Sequence, residues 1–319
     1  MRPLLAVERK PHATMGGMLE NEDTKRLGKA DIEEAPVRGW DLHCHTRFSD
    51  GTKTPEEFIA EARELGLHGV AITDHDTWNG WDRAVQAARQ YGMPLVRGTE
   101  ITAHVDHTSV HMLAYLYNPD DKGLARMFAD TRAARLARVQ EMVKRISQDY
   151  PQITWEAVRA QVREGTQTTV GRPHIADALV AAGICSSRSQ AFATIIATTS
   201  KYYIHVPSPT PVQVVQTVKR AGGAVVLAHA GDRSRNKYLL SDDRIIELID
   251  AGLDGIEIWH RGNDPDQRVR LAEFVQRYGL LATGGSDWHG AGKPNLLGEN
   301  LTPDATVKLL CEGRFLSIA

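Results

Sequence analysis

HGVAITDHDTWNGWDRAVQAARQYGMPLVRGTE, residues 68–100, decides the class of fold. Its opening is apolar through Val70-Ala71-Ile72 and then turns abruptly to Thr73-Asp74-His75-Asp76, as a buried strand does on reaching a polar rim. WDRAVQAARQYG follows with helical spacing, and PLVRGTEITA is a further strand carrying Gly98-Thr99-Glu100. A strand, a helix and a strand in succession predict parallel pairing through a right-handed crossover. Upstream, WDLHCHT (residues 40–46) alternates as a strand and SDGTKTP turns into a helix. Thr54-Pro55-Glu56-Glu57 supplies the cap, the proline and the acids of a helix start, and EEFIAEARELGL continues with helical period. Downstream, VHMLAYLY is another apolar run.

The rhythm breaks after Asn118-Pro119-Asp120-Asp121. From Lys122 to about Ser200 nearly everything reads as helix: ARMFADTRAARLARVQEMVKRI, WEAVRAQVRE, HIADALVAAG and SRSQAFATII. That block is too long for a connection and predicts an inserted all-helical subdomain. The alternation then returns with PVQVVQTVKRAGG, AVVLAHA, DDRIIELIDAG, DGIEIWH, QRVRLAEFVQRYG and LLATGGSDWH. No GxGxxG follows the first strand, which speaks against a dinucleotide fold. Polar residues gather at the C-terminal ends of nearly every strand, the face where barrels build their sites, so an α/β barrel is favoured over a doubly wound sheet. The expected division is an extension (1–38), a first barrel part (39–120), the helical insertion (121–204) and a second barrel part (205–319).

Of the 319 residues 42% are apolar and 24% charged, the ordinary range of a folded globular chain. A formal charge of −2 creates no field for nucleic acid or an anionic membrane, so an anionic substrate needs local cations, either metals or a few arginines. Cys44, Cys185 and Cys311 are odd in number and widely spaced, which predicts neither a disulfide framework nor a zinc ribbon. No apolar run is long enough to span a bilayer, and MRPLLAVERKPHATMGG makes a poor secretory signal. A cytoplasmic protein with no membrane partner is expected.

His43 and His45 lie two apart on a strand, so both imidazoles face one side while Cys44 turns away and packs beneath a helix. Converging neutral nitrogens suit a metal ion. Asp50 sits in the SDG turn, where an Asx-turn role is the plainer alternative. His75 closes the second strand. Glu100 stands where a carboxylate can bridge two metals with its two oxygens, and His111 opens the next apolar run. His229 ends the fifth unit, and Asp287 with His289 repeats the two-residue spacing after the last strand. Each has a bland explanation alone. Together they put ligand-type residues at the ends of at least five strands, a burial of charge that only metal ions would offset. His12, His68, His104, His107, His205 and His260 lie in the extension, at a helix end or in loops, and are not expected to be ligands.

DLHCHTRFSDG, ITDHD, GTE, VHMLAY, LAHAG and GSDWH resemble, in order and rough spacing, the successive motifs of the PHP (polymerase and histidinol phosphatase) family. The helical insertion and its GRPHIA segment, residues 171–176, are similar to the nucleotide phosphoesterases within it. The resemblance implies a distorted (β/α)7 TIM-like barrel holding two or three divalent ions. It places His43, His45, Glu100 and Asp287 on a first ion, with Glu100 bridging to a second that His111 also binds. Asp50, His75, His229 and His289 would surround a third. The family often has Pro where this chain has Ala230, a change of local turn that removes no ligand.

Such a centre implies attack on phosphorus by a hydroxide held between two ions. His229, His289 and Asp287 are the catalytic candidates. Imidazole and carboxylate without thiolate fit manganese, iron or zinc, and the resemblance favours manganese. Arg132, Arg135 and Arg138 form a band along one helix, either solvated or phosphate-binding, and Arg172 lies between Gly171 and Pro173. An Arg fork suits a second phosphate, so Arg135 and Arg172 point to a nucleoside 3′,5′-bisphosphate converted to the 5′-monophosphate. A 5′-3′ exonuclease on short RNA and a histidinol-phosphate phosphatase are the alternatives. The latter needs an acidic pocket for its ammonium, and the arginines argue against it. A non-catalytic, polymerase-associated module finds no basic tract to support it.

Overall fold

The computed structural model describes residues 35–106, 108–163, 168–235 and 238–319. Most of the expected extension, with His12, and also His107 fall outside these. Seven strands form one sheet in chain order: β1 (Trp40–Asp41), β2 (Gly69–Ile72), β3 (Leu95–Val105), β4 (Thr108–Tyr115), β5 (Ala224–Leu227), β6 (Gly255–Trp259) and β7 (Leu281–Gly284). The sheet curls until the chain after β1 meets the chain after β7. Cys44 pairs in parallel with Trp288, and the His45 N–H donates to Trp288 O at 2.8 Å. The result is a nearly closed seven-stranded barrel.

Helices α1 (Pro55–Glu64), α2 (Trp81–Tyr91), α8 (Asp242–Asp250) and α9 (Pro265–Tyr278) connect parallel neighbours, with α10 (Asp304–Cys311) after β7. The first begins as its sequence demands. Thr54 Oγ1 accepts from the Glu57 N–H, Glu57 Oε2 accepts from the Thr54 N–H, and Pro55 occupies the first turn.

Period-2 alternation sorts the strand residues onto two faces. Ala71, Val96, Leu113, Tyr115, Ala224 and Val226 fill the lumen, while Val70, Ile72, Leu95, Met112, Ala114, Val225 and Leu227 pack outward under the helices. Cys44 lies in the outer cluster with Phe58 and Trp288, as expected. Filling both faces with side chains worth roughly 1.5–3 kcal/mol each makes the barrel rigid where its rim must hold polar groups.

The expectation of parallel strands fails at one place. β4 runs antiparallel to both β3 and β5, because β3 extends through His104 to Val105 and turns back directly into a hairpin. His104 is therefore a strand residue and not a loop one. The reversal brings the start of β4 to the rim reached by the end of β3, with Thr102 opposite His111.

Between β4 and β5 lie α3 (Lys122–Ile146), α4 (Trp155–Arg159), α5 (Arg172–Ala181), α6 (Arg188–Ala193) and α7 (Pro211–Arg220). Residues from Val139 to Tyr202 build a second apolar cluster of their own, including Ile146, Ile175, Leu179 and Ile196. The inserted helices are moored to the barrel by polar contacts. The Thr169 N–H donates to Phe48 O at 2.9 Å, and Arg188 donates to Asp50 O at 2.8 Å while holding Asp177 in a two-pronged pair. No helix among the described residues is long and apolar enough to cross a membrane.

Candidate metal centre

In β2, β3 and β4 the inward-facing positions that fill the lumen lead, further along the same face, to ionisable residues. Continuing from Ala71 through Thr73 reaches His75, and from Val96 through Gly98 reaches Glu100. In the reversed β4, stepping back from Leu113 reaches His111. The chain leaves β5 at Ala228, and His229 adopts φ 29°. Alternation would turn that side chain outward, and the left-handed backbone re-aims it toward Glu100. Asp287 has φ 53°. Such backbone costs about 1–3 kcal/mol per residue and persists only where surrounding contacts hold it.

Glu100, 1% exposed, is the hub. One oxygen lies 3.4 Å from His43 Nε2, 3.1 Å from His45 Nε2 and 3.2 Å from His75 Nδ1; the other lies 2.6 Å from His111 Nδ1 and 3.0 Å from His229 Nε2. Asp287 Oδ1 lies 3.5 Å from His43 Nε2 and 3.4 Å from His45 Nε2. Asp50 Oδ1 is 3.1 Å from His289 Nε2 and 3.7 Å from His45 Nδ1, and its other oxygen is 3.9 Å from His75 Nε2. All nine residues named from the sequence as ligand candidates meet here. They fall into three sets able to hold an ion: His43, His45, Glu100 and Asp287; Glu100, His111 and His229; and His45, Asp50, His75 and His289. His229 stands with the second set, beside His111, where the resemblance had grouped it with the third.

Protonation follows the crowding of charge. Burial pushes the Glu100 carboxyl up, but His111, His75 and His43 outweigh it and hold it well below the carboxylate range. Asp287 is held low against burial by Lys293, Arg235 and His43, and Asp50 by His289 and His75. Burial works against the charged form of His43 and His45 too. Glu100, Glu257 and Asp287 nonetheless raise His43 well above the imidazole range, and contacts with Asp287 and Glu100 raise His45 to about 9. Burial keeps His75 and His229 low, and with Lys293 and His45 takes His289 to about 4. Without metal, protons on His43 and His45 supply part of the positive charge the acids require.

Buried, hydrogen-bond-free atoms test whether cations fit. His43 Nε2, His45 Nε2, His289 Nε2, Asp50 Oδ1 and Asp287 Oδ1 all lack a hydrogen-bond partner, although they converge. Leaving such atoms unmet costs roughly 1–3 kcal/mol each, more for charged groups. Their opposite ring nitrogens are engaged: His43 Nδ1 with Glu257 at 3.0 Å, and His289 Nδ1 with Asp287 O at 2.8 Å. A histidine that donates from one nitrogen presents the lone pair of the other, the usual arrangement behind a metal. The residues fit divalent ions, and the all-nitrogen-and-oxygen donor set is compatible with manganese, iron or zinc.

The PHP domain profile matches residues 41–205. This chain belongs to the PHP domain family. A Bifidobacterium adolescentis crystal structure, named as that of a metal-dependent phosphoesterase, is 59% identical with a TM-score of 0.86, covering 87% of this chain and 96% of that one. The 3′,5′-nucleoside bisphosphate phosphatase of Chromobacterium violaceum is 29% identical over 259 residues, 79% of this chain and 88% of its own. The 5′-3′ exoribonuclease of Haemophilus influenzae is 27% identical over 269 residues, 83% of this chain and 95% of its own. With the PHP match and this cluster, the chain is a metal-dependent phosphoesterase.

Around the PHP centre lie residues that sequence reasoning missed. Glu257, 1% exposed, is a lone acid inside the apolar strand GIEIW, and that isolation was the available signal. Lys293 Nζ lies 2.7 Å from Asp287 Oδ2, which Arg235 also contacts. His260, set aside as a loop residue, is buried 3.9 Å from the same oxygen. His104 has its ring 5.5 Å from that of His205, and burial, then His111 and His205, take it to about 4. His68 bonds Asp304 at 2.9 Å before β2, at the opposite end of the strands.

The arginines of α3 are not an exposed band. Arg135 and Arg138 are each 8% exposed. Arg135 reaches Asp76 at 2.8 Å, Thr102 Oγ1, and His75 Nδ1 at 3.4 Å, and Arg132 donates to Asp76 O at 2.6 Å. Arg172, first residue of α5, lies over the rings of Phe192 and Tyr203 at 5.1 and 5.4 Å and donates to Ile196 O. Burial, then the charges of Arg135 and Arg172, lower Arg138 to about 10, so the three guanidiniums feel one another.

Proposed function

We propose that this phosphoesterase removes the 3′-phosphate of nucleoside 3′,5′-bisphosphates, leaving the 5′-monophosphate. His43, His45, Asp50, His75, Glu100, His111, His229, Asp287 and His289 would hold two or three divalent ions, with manganese the preferred ion. The observation that carries the reading is the trio of buried Arg135 and Arg138 and half-buried Arg172 beside the histidine–carboxylate cluster. Arg138 Nε is buried with no hydrogen-bond partner. Arg135 already has Asp76, but among the described residues no carboxylate pairs with Arg138 or Arg172; cations so gathered need a further anion, and guanidinium forks match a phosphate that does not react. The similarity to a bisphosphate phosphatase points the same way.

In this reading the helical insertion, residues 121–204, roofs the rim and lends its arginines to the substrate's 5′-phosphate. Bound divalent ions would supply an activated water and neutralise charge developing on the phosphoryl oxygens. The chain's own groups do the rest. Glu100, Asp50 and Asp287 stay ionised and would hold those ions opposite the arginine trio, leaving cations on both sides for the two phosphates. Asp287, flanked by Lys293 and Arg235, keeps its charge and is no proton donor. Burial lowers His229 and His289, so both stand at the rim as neutral imidazoles that would help hold the ions.

The test is turnover by the manganese-loaded protein of adenosine 3′,5′-bisphosphate, 5′-phosphorylated short RNA and histidinol phosphate. The bisphosphate should turn over fastest and yield the 5′-monophosphate. Faster release of mononucleotides from RNA would replace this reading with the exonuclease, and preference for histidinol phosphate would overturn the role given to the arginines.

A further inference from the structure

His43 and His229 come from strands at different places in the barrel, yet two carboxylates bracket both of them. On the inner side Glu100 lies 3.4 Å from His43 Nε2 and 3.0 Å from His229 Nε2. On the outer side Glu257 lies 3.0 Å from His43 Nδ1 with one oxygen and accepts the His229 N–H at 2.8 Å with the other. The two imidazoles stack between them, their centroids 5.6 Å apart. Three further features hold Glu257 in place. It faces the lumen from β6, between Ile256 and Ile258, which point outward. Asn263 donates to its main-chain oxygen at 2.9 Å. Gly285 leaves the space it occupies, since a Cβ there would stand 2.7 Å from Glu257 Oε1 and 2.3 Å from His43 Cβ.

We infer that Glu257 is a positioning residue that aims His43 and His229 together and so couples the filling of two neighbouring cation positions. Its first bond keeps the proton of neutral His43 on Nδ1, which leaves the Nε2 lone pair directed at Glu100 and Asp287. Its second bond holds the His229 main chain at φ 29°, the left-handed conformation that turns this imidazole inward. His43 belongs to one of the candidate sets and His229 to another, with Glu100 shared. A single side chain that touches no ion thus governs one ligand of each set. The inference rests on the metal reading of those sets.

Glu257→Gln separates charge and hydrogen bonding from shape. A glutamine has one accepting oxygen where two are needed. If its amide nitrogen faces His43, that ring must accept at Nδ1 and carry its proton on Nε2, which removes the lone pair from the site. If the nitrogen faces His229, two donors meet and the left-handed backbone relaxes. Either way one ligand is misdirected, and because both sets share Glu100 the neighbouring position weakens with it. Titration of the metal-stripped, full-length protein with Mn2+, read by calorimetry and by bound metal per chain, should show affinity reduced about 10–100-fold at two positions. The thermal shift that Mn2+ produces should shrink in parallel. A merely structural glutamate would lower the melting temperature with and without Mn2+ alike and leave affinity untouched. A Glu257→Gln protein that binds Mn2+ with wild-type stoichiometry and within about threefold of wild-type affinity therefore overturns the inference. Should that variant not fold, Glu257→Asp, too short to span both bonds, is held to the same criterion. Wild-type protein that takes up no Mn2+ overturns the metal reading itself, and this inference with it.

Discussion

Arg172→Ala offers the sharpest separation of substrate binding from metal chemistry, because Arg172 touches no member of the histidine–carboxylate cluster. Its guanidinium carries five N–H donors, and among the described residues its one hydrogen bond goes to Ile196 O at 3.1 Å. The remaining donors are free for an anion. A charge-assisted hydrogen bond from a guanidinium to phosphate is worth roughly 1.5–3 kcal/mol, and 1.4 kcal/mol corresponds to a factor of ten. The Michaelis constant for a nucleoside 3′,5′-bisphosphate should therefore rise about 10–150-fold. The turnover number should change little, since the distant phosphate is held equally in ground and transition states. The same substitution removes the stacking over Phe192 and Tyr203, at about 0.5–2 kcal/mol each, so a lower melting temperature is expected as well. Stability loss and binding loss are told apart by p-nitrophenyl phosphate, which lacks a second phosphate. Its kinetics at a temperature where both proteins are folded should match the wild type. An unchanged Michaelis constant for the bisphosphate, or an equal loss on both substrates, would refute the argument.

Glu100→Gln should cost at least one bound ion per chain and most of the activity, because five imidazoles surround that carboxylate; wild-type metal content by elemental analysis would end the bridging role. Chelation should abolish turnover and lower the melting temperature, with Mn2+ at a hundred times its dissociation constant restoring about 2.7 kcal/mol. The chelated protein should be most stable near pH 6.5. His43 and His45 are raised when folded, so the stability they confer is full below the unfolded pKa and fades as pH climbs toward 9. His75, His229 and His289 are lowered, so unfolded chains bind more protons than folded ones below 6.5, and stability falls with pH on that side. A monotonic melting curve from pH 5 to 9 would contradict that balance. Gly285→Ala should destabilise the fold by roughly 1–3 kcal/mol or more, its methyl meeting His43 Cβ at 2.3 Å, and normal melting with normal metal content would show the packing is looser than described.

The inner ring of the site was legible because metal ligands are chemically conspicuous. A histidine or acid directly after an apolar run has few reasons to be there, and nine such residues converge. What stayed hidden depended on geometry that local sequence does not announce. The reversal of β4 turns on the tight passage from Val105 to Thr108, where Asp106 has φ 48°. Asp-His is not the Asn-Gly or Asp-Gly pair that signals such a hairpin, so VHMLAYLY shows in the sequence only as a further apolar run, with nothing to mark its reversed direction. The α3 arginines show the three-residue spacing of an exposed face, and only the packing of α3 over the rim tells that Arg135 and Arg138 are inside. Lys293 and Arg235 come from segments whose composition is ordinary for loops.

The outer layer explains why the inner one can exist before any ion arrives. Asp41 is raised by burial and accepts from the Ser286 and Gly298 N–H groups, and Asp74, raised likewise, accepts from Thr46 and Ser49. Ser49 in turn lies 3.3 Å from His45 Nδ1. These acids tie the loops after β1, β2 and β7 to one another, so His45 and Asp287 are placed by hydrogen bonds that do not involve the cluster. The left-handed turns at His229 and Asp287 are then sustained by the frame and need no metal to impose them. A preorganised frame predicts that chelated protein keeps its far- and near-ultraviolet circular dichroism while losing activity, and that Mn2+ restores turnover without a slow refolding phase. Loss of the near-ultraviolet signal on chelation would mean instead that the ions build the rim they occupy.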